Sequence, residues 1–296
     1  MKIKSDIVGL KFKEVTTHVT WRQTSNYGAS IGDTNHLYMN DLISEQNVAH
    51  PMFAVVLSWP IISKIHKYAE MPYQPQLFEN IVHYFEHIEF TRLISPDEEV
   101  TIDGEVTAVL PHKAGTLLVS KFTISDKNKE HIQTEWIGGL LRGVVCVDSG
   151  SGKENLPNFN RLEEEDIQWE RKINITAEQP FIYDGCNNIV FDIHTSPKFA
   201  KRVGLPNILV QGTATLGMAI TEIVNKESEK DPRKVKSISG RFSDMVFPNQ
   251  TITVQTVNTI ESQTERKVFF RVLNEAGNAA ISDGVVVFQN NGKVGC

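Results

Sequence analysis

Two polar loops carry the side chains of this sequence best suited to moving a proton. The first runs Gly32-Asp33-Thr34-Asn35-His36-Leu37-Tyr38, and the second sets His194 in Asp192-Ile193-His194-Thr195-Ser196-Pro197. An imidazole changes charge near neutral pH, and a neighbouring carboxylate or carboxamide orients and tunes it. Each loop precedes a small-residue start to an apolar helix, at Ala49–Leu57 and at Ile208–Gly217. A helix start presents unpaired backbone N–H groups and positive dipole potential, which suit a developing negative oxygen. Asp33 also has a plain reading as an Asx-type turn or cap within GDTN, and that reading is preferred for it.

Other clusters carry less. His83-Tyr84-Phe85-Glu86-His87 has the H-x-x-E-H spacing of inverted zincins, which need both histidines on one helical face. The stretch leads directly into strand-like residues and shows no third ligand, so no metal site is expected. Ser149–Lys153 lacks the spacing of a phosphate-binding P-loop. Lys198 and Arg202, in Lys198-Phe199-Ala200-Lys201-Arg202, are placed either to meet phosphates or to line a solvated helix face. Cys146, Cys186 and Cys296 are odd in number and scattered, which fits a reducing compartment rather than a disulfide framework.

The elements that must position these loops repeat. Tyr27–Pro60 and Tyr183–Ala219 read as diverged copies, each with an aromatic, a polar loop, a short amphipathic piece and then the apolar helix. Pro51–Ala69 has helix-length apolarity with Pro60 as its kink or break, and Asn207–Lys226 is the matching helix of the second copy. Strand-like segments follow each. After the first come EHIEFTRLI, EVTIDGEVTAV, GTLLVSKFTIS and HIQTEWIGGLLRGVV, expected as an antiparallel meander. After the second come SISGRFSDMVF, TITVQTVNTI, ERKVFFRVLN and AAISDGVVVFQ. A helix and a run of long strands, twice over, is an α+β pattern whose solution is a curved sheet wrapped around its own apolar helix. The expected division is a first domain over 1–147, a linker over 148–155 and a second domain over 156–296.

The chain has 296 residues, 40% of them hydrophobic, enough for one large core or two fused ones. A net charge of −6 without any basic block argues against nucleic acid or an anionic membrane surface as partner. The start is unlike a signal peptide and no apolar run nears the ~20 residues of a membrane span, so a soluble, cytoplasmic protein is expected.

GDTNHLY (Gly32–Tyr38) is similar to a G-D-x-N-P-L-[HY] loop, and AHPMFAVVL (Ala49–Leu57) to an A-x-P-x-F-A stretch. HTSPKFA (His194–Ala200) is similar to H-x-D-P-x-F-A, and ILVQGTATLG (Ile208–Gly217) to a P-I-L-H-G helix start. GRFSDMVFPNQTI (Gly240–Ile252) is similar to an R-F-x-x-P-V-F-P-G-x-T-L strand pair. In this order, over nearly the whole chain, they resemble the MaoC-like double hotdog family of (R)-specific enoyl-thioester hydratases and 3-hydroxyacyl-thioester dehydratases.

The resemblance implies a double hotdog fold and reversible syn addition of water to a trans-2-enoyl thioester, giving a (3R)-hydroxyacyl thioester. In it His194 stands where the base belongs and the backbone N–H at Gly212 where the oxyanion donor belongs. Gln211, Thr213, Lys198 and Arg202 are then the substrate contacts. The family's acid, five residues before the histidine, is Ile189 here, and its asparagine is Phe191. Losing one acid–base partner typically costs about 10²–10⁴ in rate. Three outcomes are open: Asn187, Asn188 or Asp192 rebuilds the pair; His194 acts alone on a related thioester, by isomerisation or cyclisation; or the chain is an acyl-thioester-binding partner subunit without turnover. Asp33, Asn35 and Tyr38 mark the first half as the degenerate one, forming the acyl pocket. A thioesterase is the competing enzyme, with Thr215 and Glu222 against the thioester carbon. No metal or redox cofactor is implied. Coenzyme A or an acyl-carrier protein brings the substrate, and a homodimer is a candidate assembly.

Overall fold

The computed structural model describes residues 1–79, 81–159 and 166–290, and Cys296 falls outside them. Ten strands form one continuous sheet. The first half of the chain supplies β1 (Val15–Val19), β2 (Ile81–Phe90), β3 (Glu98–His112), β4 (Gly115–Asp126) and β5 (His131–Arg142). The second supplies β6 (Trp169–Asn174), β7 (Val235–Phe242), β8 (Thr251–Glu261), β9 (Glu265–Leu273) and β10 (Ala279–Gln289). Across the sheet the order is β1-β3-β4-β5-β2-β7-β10-β9-β8-β6. Each half therefore has the same topology, and the halves join where β2 pairs antiparallel with β7, from Phe85–Arg241 to Glu89–Ser237.

The expected meander holds for β3, β4 and β5, but β2 pairs with β5 and not with β3. This leaves the other edge of β2 free to receive β7. The outermost strands, β1 and β6, escaped the alternation pattern because VTTHV and WERKIN are short and largely polar. The H-x-x-E-H residues lie in β2, where side chains alternate between faces and the register shifts between His83 and Phe85. A helical zincin face is therefore ruled out. Among the described residues no group of His, Cys, Asp or Glu is arranged to hold a metal ion.

Four helices matter for the site: α1 (Trp21–Ser30), α2 (Ala54–Ile62), α3 (Gln179–Asn187) and α4 (Gly212–Glu227). Thr20 and Gln23 close a capping box that starts α1. The two central helices, α2 and α4, are apolar on most of their faces and bury Val55, Leu57 and Ile61 in one half and Leu216, Ile220 and Ile223 in the other. Pro60 lies in the last turn of α2 without ending it; the break comes at Ser63 and Lys64, before a separate turn over Ile65–Tyr68. The second central helix is shorter than Asn207–Lys226 at its start. Leu209 N donates to Ile193 O and Val210 N to Val246 O, so these residues are held extended and helix begins only at Gly212.

The loop-rich stretch after Asp148 is pinned to the back of the first-half sheet. Ser151 bridges Val109, and Asn155 Nδ2 donates to Thr107 O. Leu156 and Phe159 then cover a small apolar cluster on Phe85, Ala108, Leu117 and Val119. No helix among the described residues is long and apolar enough to cross a membrane.

Candidate active site

The aromatics that head the two sequence copies meet at the centre of the molecule. Tyr27 on α1 and Tyr183 on α3 are fully buried, with hydroxyls 3.4 Å apart. Tyr183 also donates to Thr213 Oγ1 on α4 at 3.1 Å. Eleven residues beyond each tyrosine stand the pseudo-equivalent Tyr38 and His194.

His194 closes a single helical turn, Asp192–Thr195, that begins next to Phe191. Its Nδ1 lies 2.9 Å from Leu209 O. A carbonyl only accepts, so Nδ1 carries the proton and the lone pair sits on Nε2. Burial lowers the ring's pKa to about 4, partly offset by the Leu209 bond, which leaves a neutral imidazole at physiological pH. Leu209 is three residues before Gly212, so one hydrogen bond ties the imidazole to the segment that leads into α4.

The start of α4 is uncapped. Gln211 is the N-cap residue by backbone conformation, yet its side chain makes no capping bond, and the first helical N–H with a partner is Thr215 N to Gln211 O. The N–H groups of Gly212, Thr213 and Ala214 thus have no intrahelical acceptor. Gln211 Nε2 donates to Pro180 O, and its Oε1 is buried without a partner. Gly212 has a packing role as well, since a Cβ there would fall 2.9 Å from Phe242 Cδ1.

The pseudo-equivalent helix start in the first half is built differently. His50 occupies the N-cap, and its Nδ1 accepts from Met52 N at 3.1 Å. Pro51, where the second half has Gly212, has no N–H to offer. The remaining His50 nitrogen must carry the proton. Nε2 lies 3.3 Å from Thr221 Oγ1 on α4, and Thr221 donates to Asp33 Oδ2 at 2.9 Å. Asp33 Oδ1 accepts from Asn35 N, the expected Asx turn, and Asn35 Nδ2 donates to Lys230 O. Burial raises the Asp33 pKa against these bonds and lowers that of His50 to about 3. Asp33, Thr221 and His50 thus form a buried tie between the halves, with every donor directed inward. Sequence reasoning missed His50 and Thr221. Their only signal was the AHP beside GDTN, because Thr221 is 188 residues from Asp33.

Of the three residues expected to replace the missing acid, Asn188 and Asp192 are exposed. Asn188 is the left-handed C-cap of α3 (φ 53°), and Asp192 begins the His194 turn. Asn187 alone is buried; its Nδ2 donates to Ser30 Oγ at 2.8 Å, and its Oδ1 has no partner. Ile189 is 5% exposed. Asp184, one turn earlier on α3 and overlooked in the sequence, has a buried, unpartnered Oδ2 and a pKa raised by burial. Lys198 and Arg202 are exposed on the short helix after His194, with the Arg202 guanidinium 4.6 Å from the Phe199 ring centre. The thioesterase residues are spent elsewhere: Thr215 Oγ1 donates to Gln211 O, and Glu222 faces Arg171.

Comparison with known proteins agrees with this duplicated architecture. Residues 159–280 match the MaoC like domain family, and residues 6–135 match the FAS1-like, dehydratase domain region. A 63-residue stretch, 21% of this chain, is 43% identical to Enoyl-CoA hydratase 2, peroxisomal, of Arabidopsis thaliana, of which it spans 20%. Over 211 residues the chain is 27% identical to Enoyl-CoA hydratase ChsH3 of Mycobacterium tuberculosis, covering 67% of this chain and 71% of that one. The structure superposes on a MaoC-like dehydratase from Phytophthora capsici with a TM-score of 0.83 at 22% identity, over 96% of this chain and 98% of that one. With a MaoC like domain match over residues 159–280, a FAS1-like, dehydratase domain region match over residues 6–135 and one ten-stranded sheet joining the two halves, the chain has the double hotdog fold.

Proposed function

We propose that the second half reversibly hydrates a 2-enoyl thioester, with His194 as base and the open start of α4 as oxyanion site. The observation that carries the reading is the contrast between the two helix starts. Gly212 offers an N–H and lacks a cap, whereas Pro51 has none to offer and lies beside a capped turn. His194 Nε2 takes a proton from water as the water oxygen bonds to C3. Charge moves onto the thioester oxygen, which accepts from Gly212 N–H. The imidazolium then returns a proton to C2 on the same face, giving the 3-hydroxyacyl thioester. One imidazole serves both transfers, consistent with Ile189 in place of a second acid–base group. Asn187 Oδ1 or Gln211 Oε1, each a buried acceptor without a partner, would take the water's second O–H and orient it.

Coenzyme A or the pantetheine arm of a carrier protein would bring the acyl group, with Lys198 and Arg202 available to its phosphates. A binding-only role has one observation in its favour, the buried Ile189. Incubation with crotonyl-CoA separates the readings. Loss of enoyl absorbance without thiol release supports hydration, thiol release supports a thioesterase, and binding with neither change supports a partner subunit.

A further inference from the structure

The inner face of the first-half sheet, which packs on α2, is not the apolar wall such a face requires. Strand register puts Glu86, Ile137 and Ser120 in one cross-strand row, with Ile88, Glu135 and Phe122 in the next and Phe90, Gln133 and Ile124 in the third. Ile88, Phe122, Ile124 and Ile137 belong to the main core, which fixes this as the inward face. Glu86 and Glu135 are 0% exposed, Ser120 1% and Gln133 2%. All four carboxyl oxygens, Ser120 Oγ and Gln133 Nε2 are buried without a hydrogen-bond partner.

Nearby groups do not resolve this. His83 Nε2 lies 3.1 Å from Glu86 Oε2, but it is also 3.0 Å from Phe85 O, the carbonyl to which it donates. The Ser58 hydroxyl on α2 stands near Glu135 and also reaches Ala54 O. Glu86 and Glu135 are close enough to bond to one another, which requires that one be protonated, because adjacent buried carboxylates cannot both stay charged. A shared proton satisfies two of the four oxygens. The other two have near them only the His83 N–H and the Ser58 hydroxyl, each already directed at a backbone carbonyl, an arrangement that native interiors avoid unless a ligand or water completes it.

This patch is two rings away from the proposed reaction site. Phe242 packs on Gly212 and stands 4.5 Å, centre to centre, from the His83 ring, which touches Glu86. An acyl chain whose thioester lies at Gly212 would pass the Phe242–His83 wall into the first half and meet acceptors there.

Resting on the hydratase reading, we infer that the substrate's acyl chain bears a hydroxyl group, which donates to the Glu86–Glu135 pair beside Ser120 and Gln133. A plain alkyl chain would leave these groups unpaired and be disfavoured.

The test uses the full chain. Calorimetric binding of hexanoyl-CoA and octanoyl-CoA is compared with that of 6-hydroxyhexanoyl-CoA and 8-hydroxyoctanoyl-CoA, alongside loss of enoyl absorbance with hex-2-enoyl-CoA. For at least one length the hydroxylated chain should bind about tenfold or more tightly than its alkyl counterpart. Glu135→Gln, whose amide can satisfy Glu86 internally, and Ser120→Ala should each shrink that ratio. Equal or tighter binding of both alkyl chains, or a ratio untouched by both substitutions, overturns the inference while leaving hydration standing. Absence of binding and turnover with every thioester overturns the hydratase reading itself, and the inference with it.

Discussion

Lowering the pH tests the chemistry most directly. An unperturbed imidazole, with pKa about 6.5, would be roughly three-quarters protonated at pH 6 and useless as a base. His194 is held at about 4 by burial against the Leu209 bond. At pH 6 only about 1% of it should be protonated. The acid limb of kcat/KM, which reports groups of the free enzyme, should therefore fall near pH 4 and not near 6.5. The fold weakens over part of the same range. His50, at about 3, and His83, at about 4, are also kept neutral by burial. Their folded values lie below the unfolded one, so the stability they contribute is present above about pH 6.5 and lost as pH falls toward 3. Enoyl-thioester absorbance at 0.5-unit steps (roughly the spacing needed to place such a limb), with circular dichroism on the same samples, separates the two effects. A limb between pH 6 and 7 in folded protein would refute a half-buried, neutral His194 as the base.

Three further outcomes follow from the geometry. Gly212→Pro gives the second helix start the chemistry of the first; kcat of the folded protein should fall by about 10²–10³, and the melting temperature should drop as well, because proline suits the helical position but its Cβ presses on Phe242. Unchanged kcat would remove the backbone donor from the mechanism. His194→Ala should abolish hydration with the fold intact. Asp33→Ala should keep most activity but cost about 1–3 kcal/mol in urea unfolding, because it strands the Thr221 hydroxyl and Asn35 N–H; equal activity losses from both would contradict placing the chemistry in the second half. Burial raises the pKa of Glu86 and Glu135, so the stability tied to their protons is present at low pH and lost as pH rises through the folded values. Glu135→Gln should flatten that loss, read as urea midpoints at steps upward from the ordinary carboxyl value of 4.5.

Much of this architecture was legible in the residues. Alternating Val, Ile and Thr marked the long strands, and the paired tyrosine-led copies marked the duplication. What escaped was mostly non-local. Nothing near Ala49 says that β2 reaches across to β7, or that Thr221 of one central helix bonds the Asp33 of the other half. The start of α4 was misplaced because Ile208, Leu209 and Val210 extend the apolar run that leads into the helix, and the bonds of Leu209 and Val210 to Ile193 and Val246 hold them extended. Glu86 was noticed for its spacing to two histidines, a helical argument applied to a strand. Its inward orientation beside Glu135 depends on register, which spacing alone does not reveal.

The seam between β2 and β7 lets two lobes related by an approximate dyad be written as one polypeptide. In an assembly of identical subunits every substitution appears twice, so a proline that silences one helix start silences both. Here Pro51 and Gly212 are separate codons. One lobe is free to specialise in holding its neighbour in place, while the other keeps an uncapped amide at its helix start.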